Sequence, residues 1–166
     1  MATRREAQAI IFDPATKRVL ALQFDTGPKL RLPKGGIEPG ETPLDAVKRE
    51  VFEETGLRLR LFTVVENYSW SDFRSTLHKV QVFLAHSSPF DAESFPGVHD
   101  SGGIIIGIYW LRPAELCPRL LLPEEKDIIT RLFLTPPKKH PEDELLDLGS
   151  PVPLFTKVVP GMRRGR

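Results

Sequence analysis

The sequence predicts an α+β fold, and three observations carry that expectation. Short apolar, strand-like runs lie before and after one strongly capped helix; strands and helices do not alternate regularly; and 166 residues suit one domain followed by a tail. Strands flanking an isolated helix argue against a doubly wound parallel sheet. Hydrophobic residues make up 40% and charged residues 27%, which excludes collagen-like and wholly disordered classes. Basic and acidic side chains balance at 23 against 22, so no broad footprint for nucleic acid is present and no nucleic-acid partner is expected. The longest apolar stretch, residues 104–111 with Gly107 inside it, is too short to span a bilayer. No secretory signal is visible, and the single Cys117 excludes an internal disulfide framework or a Cys-based zinc site. The expectation is a soluble, cytoplasmic protein, monomer or homodimer, with no membrane partner.

Residues 7–12 and 18–24 are apolar-rich runs separated by Asp13-Pro-Ala-Thr-Lys, a hairpin signal in which Asp and Pro supply the turn. Residues 33–40 read as a loop by their glycine and proline content. The helix spans 42–57: Thr42 is the N-cap, Pro43 fills the first helical position, Asp45 stands three residues after the cap, and Gly56 suits the left-handed closing position. Residues 59–66, 78–86 and 103–111 read as strands, with 87–102 as a loop between the last two. A second helix is expected over 123–134, where Ile128, Ile129, Leu132 and Phe133 form a stripe. From Pro136 onward six of thirty-one residues are proline. The chain therefore divides into a domain, 1–135, and an extended or partly disordered tail, 136–166.

The chemistry is written in residues 35–57. On a helical wheel Leu44, Val47 and Val51 fall within roughly 60° and mark the buried face. Glu50, Glu53 and Glu54 lie together on a face turned away from it, spanning about 100°. Carboxylates at i, i+3 and i+4 repel one another, and near a helix C-terminus the dipole disfavours them as well. Arg49 can pair with Glu53 or reach back to Glu41, but one arginine does not neutralise three carboxylates. A solvated acidic face is the bland reading. The local caps and the adjoining glycine loop favour a site for a hard cation, Mg²⁺ or Mn²⁺, that handles a diphosphate.

Gly-x5-Glu-x7-Arg-Glu-aliphatic-x-Glu-Glu-x-Gly-aliphatic resembles the Nudix box. Gly35, Glu41, Arg49, Glu50, Val51, Glu53, Glu54, Gly56 and Leu57 match all nine defined positions. The resemblance implies an α/β/α sandwich around a mixed sheet and a hydrolase that cleaves a diphosphate joined to another moiety, usually in a nucleotide. It implies Glu50 and Glu54 as the principal metal ligands, and Glu53 as a further ligand or an orienter of the attacking water. Arg49 and Glu41 would hold the loop against the helix, between Gly35 and Gly56, and the carbonyl of Lys34 would also bind metal. The general base in this family often comes from a late loop. Asp100 is the candidate here, with Asp91, Glu93 and His99 as rivals and Glu53 or Glu50 as alternatives within the helix. His78 and His86 read as sheet-surface or core-edge residues, and Cys117 as inert packing.

The segment Arg31-Leu-Pro-Lys34-Gly-Gly resembles the entry to the box in enzymes hydrolysing diadenosine polyphosphates and, more distantly, diphosphoinositol polyphosphates. Lys34, with Lys29 and Arg31, places point charges where a long phosphate chain would lie. Tyr68, Trp70, Phe73 and Tyr109 are candidate ring stackers; residues 67–73 read as a polar, aromatic rim. The expected substrate is a dinucleoside polyphosphate. ADP-ribose, a nucleotide sugar and an oxidised dNTP are alternatives. An RNA 5′-end enzyme would need basic surface, and Arg163-Arg-Gly-Arg reads as a solvated tail. A catalytically inactive sensing module would break the Arg-Glu-x-x-Glu-Glu core, which is kept here.

Overall fold

In the computed structural model β1 (Thr3–Asp13) is buried on both faces, and this places it mid-sheet. The structure describes residues 2–87, the backbone of 99–100, and residues 103–136. Ala7, Ala9 and Ile11 point to one side of β1, and Glu6, Gln8 and Ile10 to the other. β1 runs parallel to β6 (Leu77–His86), which pairs antiparallel with β5 (Phe62–Ser71). On the far side β2 (Arg18–Phe24) pairs antiparallel with β8 (Gly103–Leu111), and β7 (His99–Asp100) with β8. The order is β5-β6-β1-β2-β8-β7.

The sheet forks at its centre. β1 and β2 pair only beside their turn, at Phe12↔Val19 and Asp13↔Arg18. Beyond it they splay, and each takes a short partner: β3 (Leu30–Arg31) on β2 and β4 (Lys34–Gly36) on β1. Residues 30–36 therefore bridge the mouth of the fork. The turn at its closed end is held by Asp13, which accepts from Ala15 N at 3.1 Å and Thr16 N at 3.0 Å.

Helices cover both faces. α1 (Pro43–Thr55) packs Ala46, Val47 and Val51 on Ala7, Ile11, Leu20 and Phe83. On the other face lie α2 (Pro113–Leu116), a 3₁₀ turn at Cys117–Arg119 and α3 (Pro123–Ile129). There Leu116, Leu120, Ile128 and Ile129 pack on Ile10, Val19, Ala21 and Val82. Burying each Val, Leu, Ile or Phe among them contributes about 1.5–3 kcal/mol, so both layers hold the fork in place. The result is an α/β/α sandwich around a mixed sheet. No helix among the described residues is long and apolar enough to cross a membrane.

Several local expectations are corrected. Residues 34–36 form β4, because an extended glycine pair can still complete a ladder against β1. The third strand begins at Phe62 and runs through Ser71, so residues 67–71 are not a rim. Tyr68 and Trp70 alternate with Asn67, Ser69 and Ser71, and pair with Val80 and His78. β7 falls inside the segment read as loop. The last helix gives way to a π-helical turn at Thr130–Leu134, and α2, with Pro113 in its first turn, was not anticipated. Leu44 is 38% exposed, while Glu50 and Glu54 join Val47 and Val51 among the buried residues of α1. The carboxylates thus lie beside the apolar stripe and not on a face turned away from it: at 100° per residue Glu54 falls about 20° and Glu50 about 60° from Val47, and β4 covers that edge. The proposed tail and the loop acids Asp91 and Glu93 lie outside the described residues.

Candidate active site

α1 starts and stops as its sequence dictates. Thr42 Oγ1 accepts from Asp45 N at 3.1 Å, and Gly56, at φ 74°, closes the helix by donating to the Phe52 carbonyl at 2.8 Å. These ends fix which side chains of α1 meet β4. Arg49 is the hub. Its Nε and Nη2 donate to the two Glu41 oxygens at 2.9 Å each, and Nη2 also donates to the Gly36 carbonyl at 2.8 Å. Nη1 donates to Glu50 Oε1 at 2.6 Å and Glu53 Oε2 at 3.2 Å. One guanidinium therefore ties three carboxylates and the β4 backbone together. The Glu41 hydrogen bond is the main cause of a raised Arg49 pKa, and the same bond holds Glu41 below the usual carboxylate range.

Gly35 lies in a close approach to Glu50. A Cβ there would lie 1.9–2.2 Å from the Glu50 carboxylate atoms. Glu50 thus occupies the space that any larger residue at 35 would need. Glu54, 2% exposed, accepts the Lys34 backbone N–H at 3.0 Å through Oε2. Glu50 and Glu54 stand one turn apart, both buried, with their oxygens against β4. Glu53 does not join them: its side chain is 51% exposed and pairs with Arg49. Among the described residues no three acidic, His or Cys side chains gather closely enough to surround an ion. The expected three-carboxylate cluster is corrected to a buried pair with an outlying third. The pair fits a hard divalent cation, since Mg²⁺ is held by one or two carboxylates and completes its shell with water and phosphate oxygens.

A cleft of about 270 Å³ opens at the mouth of the fork, lined among others by Glu54, Lys34, Arg31, Trp70 and Glu125. Lys34 Nζ lies 3.3 Å from Glu6 Oε2 and 5.0 Å from the centre of the Trp70 ring. Trp70 stacks on His78 with ring centres 4.1 Å apart. His78 spans two carboxylates, Nδ1 at 3.0 Å from Glu6 Oε1 and Nε2 at 3.5 Å from Asp72 Oδ2. Arg31 lies 4.5 Å over the Phe24 ring and donates to Thr26 Oγ1 at 3.3 Å.

Tyr68 is not in this cleft. Its ring packs with the α3 core layer and its hydroxyl donates to Gln8 Oε1 at 3.1 Å, which removes it from the candidate stackers. Burial, then the charges of Glu125 and Glu6, raise its pKa. Phe73 is 90% exposed, and Tyr109 donates to Gln23 Oε1 at 2.8 Å. His86 packs edge-on against Phe12 at the end of β6, and Cys117 rests near the Lys126 carbonyl, both as packing residues. Asp100 and His99 are placed in β7 by backbone alone; their side chains lie outside the described residues.

Sequence reasoning missed Glu6, Gln8 and Glu125. Glu6 and Gln8 share a strand face with Ile10, and polar residues in so apolar a run were the available signal. Glu125 looks like any acidic first-turn residue; only tertiary packing buries it to 2%.

A family profile described as the NUDIX domain matches residues 2–133, well over half of the chain. The chain belongs to the Nudix family. The Nudix relatives it matches include an RNA pyrophosphohydrolase from Bartonella tribocorum, 43% identical over 55 residues, 32% of either chain. Another is Nudix hydrolase 16, mitochondrial, from Arabidopsis thaliana, 40% identical over 62 residues, 37% of this chain and 33% of that one. The matched part spans about a third of the length of these curated relatives. Among solved structures, the E. coli dihydroneopterin triphosphate pyrophosphohydrolase aligns over 81% of this chain and 99% of its own, with TM-score 0.64 and 18% identity. A C. elegans Ap4A hydrolase binary complex aligns over 77% and 93%, with TM-score 0.61 and 22% identity. At such identities these structures establish the shared Nudix fold.

Proposed function

We propose that this chain is a pyrophosphohydrolase that cleaves a phosphoanhydride bond of a nucleoside oligophosphate, with Mg²⁺ or Mn²⁺ held by Glu50 and Glu54. The observation that carries this is the pair of buried carboxylates one turn apart, both set against β4, with Glu50 lying directly over Gly35. A divalent cation bound there would supply charge neutralisation at phosphate oxygens and a lowered pKa for a coordinated water. The Lys34 carbonyl is a further ligand in this reading. Arg49 holds Glu41 in its ionised form and orients both Glu41 and Glu50, and Glu53, exposed beside it, would orient a water. Asp100, at the β7–β8 pairing, is the proposed base, with Glu53 and Glu50 as the alternatives.

For the substrate, Lys34 and Arg31 favour a chain of several phosphates, as in a dinucleoside polyphosphate, over ADP-ribose. A second reading is favoured by the relatives named RNA pyrophosphohydrolase, which point to the 5′-triphosphate end of an RNA. Arg4, Lys34 and Arg31 line the same cleft and would serve either substrate. A small nucleotide partner, a cytoplasmic setting and a monomer or homodimer belong to the first reading.

One panel tests both: diadenosine tetraphosphate, a 5′-triphosphorylated oligoribonucleotide, ADP-ribose and oxidised dGTP, with products identified by mass. Turnover of the first two above the last two by tenfold or more is expected. ADP-ribose or oxidised dGTP ahead by tenfold would overturn the substrate reading, and no Mg²⁺-dependent turnover of any member would overturn the activity.

A further inference from the structure

The side of the sheet away from the cleft carries two cations that the fold leaves uncompensated. β1 and β6 run parallel with Arg5 directly beside Lys79, and β5 sets Ser69 beside Lys79. Arg5 shares its side of β1 with Ala7, Ala9 and Ile11, the side that α1 covers further along. Neighbouring strands lie about 4.8 Å apart, so two like charges stand side by side, an arrangement that works against the sheet. Both side chains are exposed, and among the described residues neither makes an ion pair. The nearest acids on the segment leading into α1 are already engaged, Glu41 by Arg49 and Asp45 by the Thr42 hydroxyl.

α1 stops short of these cations. It packs on Ala7 and Phe83, and the strand ends beyond them lie in an open hollow of about 450 Å³ bordered by Ile37 and Pro43. Besides Arg5 and Lys79, the hollow offers Ser69, Asn67 and Gln81, with Gln81 Nε2 donating to Asn67 Oδ1 at 3.3 Å. Tyr68 borders it but turns its ring to the other side of the sheet. Cationic and neutral donors without a stacking ring suit a phosphate–sugar backbone and not a base.

A second hollow joins this face to the carboxylate pair. Arg5 and Ile37 line both, and the second is lined also by Gly36, Arg49 and Glu50, with Glu38 and Glu53 at its acidic rim. Glu54, in contrast, lines the cleft. The start of β1 therefore divides two ways out from the pair, the cleft on one side and the open sheet face on the other. We propose that Arg5 and Lys79, with Ser69 and Asn67, form a track for the phosphodiester backbone of a single-stranded RNA running on from its 5′ phosphates. The proposal rests on the RNA 5′-end reading of the site. With total charge nearly balanced, the track is short, two phosphates for two cations.

The test is binding read against salt. An eight-nucleotide 5′-hydroxyl RNA with a 3′ fluorophore is titrated with the full chain in EDTA, from 50 to 300 mM KCl, and followed by anisotropy. Wild type is compared with Arg5→Gln/Lys79→Gln and with a control, Arg58→Gln/Arg60→Gln, that removes the same charge elsewhere. The track variant should bind at least tenfold more weakly at 50 mM KCl. Its log–log salt dependence should be shallower by about 1.4, two single-strand phosphates at about 0.7 each. Lys79→Gln alone should give about half that change in slope. The track variant should melt no lower than wild type, because a like-charge pair is relieved. The control should stay within twofold of wild type. No binding by wild type at 50 mM KCl would overturn the track, as would an unchanged slope in the variant or an equal loss in the control. An eight-residue oligoglutamate bound as tightly through the same two residues would assign the face to acidic peptides and overturn the RNA assignment. RNA binding through Arg5 and Lys79 without pyrophosphate release from the 5′-triphosphorylated octamer in Mg²⁺ would count against the 5′-end reading alone.

Discussion

The two ends of the cleft are built in opposite ways. At the α1 end, Gly35, Glu41, Arg49, Glu50 and Glu54 come from one stretch of chain, and its geometry is set by two helix caps and one arginine. At the α3 end, Glu125 meets Gln8 across 117 residues of sequence, and His78 meets Glu6 across 72. The first end is charged and held by ion pairs. The second is a buried polar network within apolar walls. A reacting centre gains from local, over-determined geometry, whereas a recognition surface can be assembled from whatever the fold brings together.

The comparison breaks most sharply at the α1 end. Chelation of divalent cations should abolish hydrolysis. Glu54→Gln should lower kcat by about 10³-fold or more while the melting temperature stays near the wild type, because the substitution also relieves repulsion with Glu50. A variant that unfolds, or that keeps its rate, would return the pair to a structural role. Arg49→Ala should be the most destabilising single change at this end, by about 2–4 kcal/mol in denaturant melts, because it leaves Glu41 and the buried Glu50 carboxylate uncompensated. Loss of under 1 kcal/mol would contradict the hub.

Acid and base titrations sharpen the contrast. Glu41 is held low by Arg49, so the stability it contributes is present above its ordinary value of 4.5 and is lost as pH falls through the depressed one. Glu125 is raised to about 7, so its contribution is complete below 4.5 and is lost as pH rises toward 7. Thermal melts of Glu125→Gln against wild type should show the variant gaining between pH 5 and pH 8; a pH-independent difference would contradict the buried, proton-holding carboxyl. The smallest effect is at Lys34. Lys34→Ala should lower kcat/KM for diadenosine tetraphosphate about tenfold more than for ADP-ribose, since the lost contact, worth about 1.5 kcal/mol, exists for the longer chain alone. Equal losses on both would remove Lys34 from phosphate recognition.

What the sequence disclosed follows the same division. The caps of α1 and its carboxylates were legible because each is a short-range rule: Thr42 before Pro43, Gly56 after the last turn, Glu50 and Glu54 at i, i+4. Their burial was legible in part: on the wheel Glu54 falls about 20° and Glu50 about 60° from Val47, at the edge of the apolar stripe, but nothing local says that β4 lies against that edge. Tyr68 and Trp70 looked alike on paper, but only Trp70 lines the cleft; Tyr68, two residues earlier on the same strand face, is taken by Gln8. Glu125 carried no sequence signal, because its burial depends on how α3 packs over β1. Strand order was equally silent: nothing local says that β1 pairs in parallel with β6 and parts from β2 after two positions.

The most direct test of the central claim, that the buried α1 carboxylates hold the cation while the α3 end does not, is a Mn²⁺ titration followed by electron paramagnetic resonance. Wild type, Glu54→Gln and Glu125→Gln are compared without substrate. The expected result is at least tenfold weaker Mn²⁺ binding by Glu54→Gln and unchanged binding by Glu125→Gln. Wild-type affinity in Glu54→Gln, or a matching loss in Glu125→Gln, would contradict it.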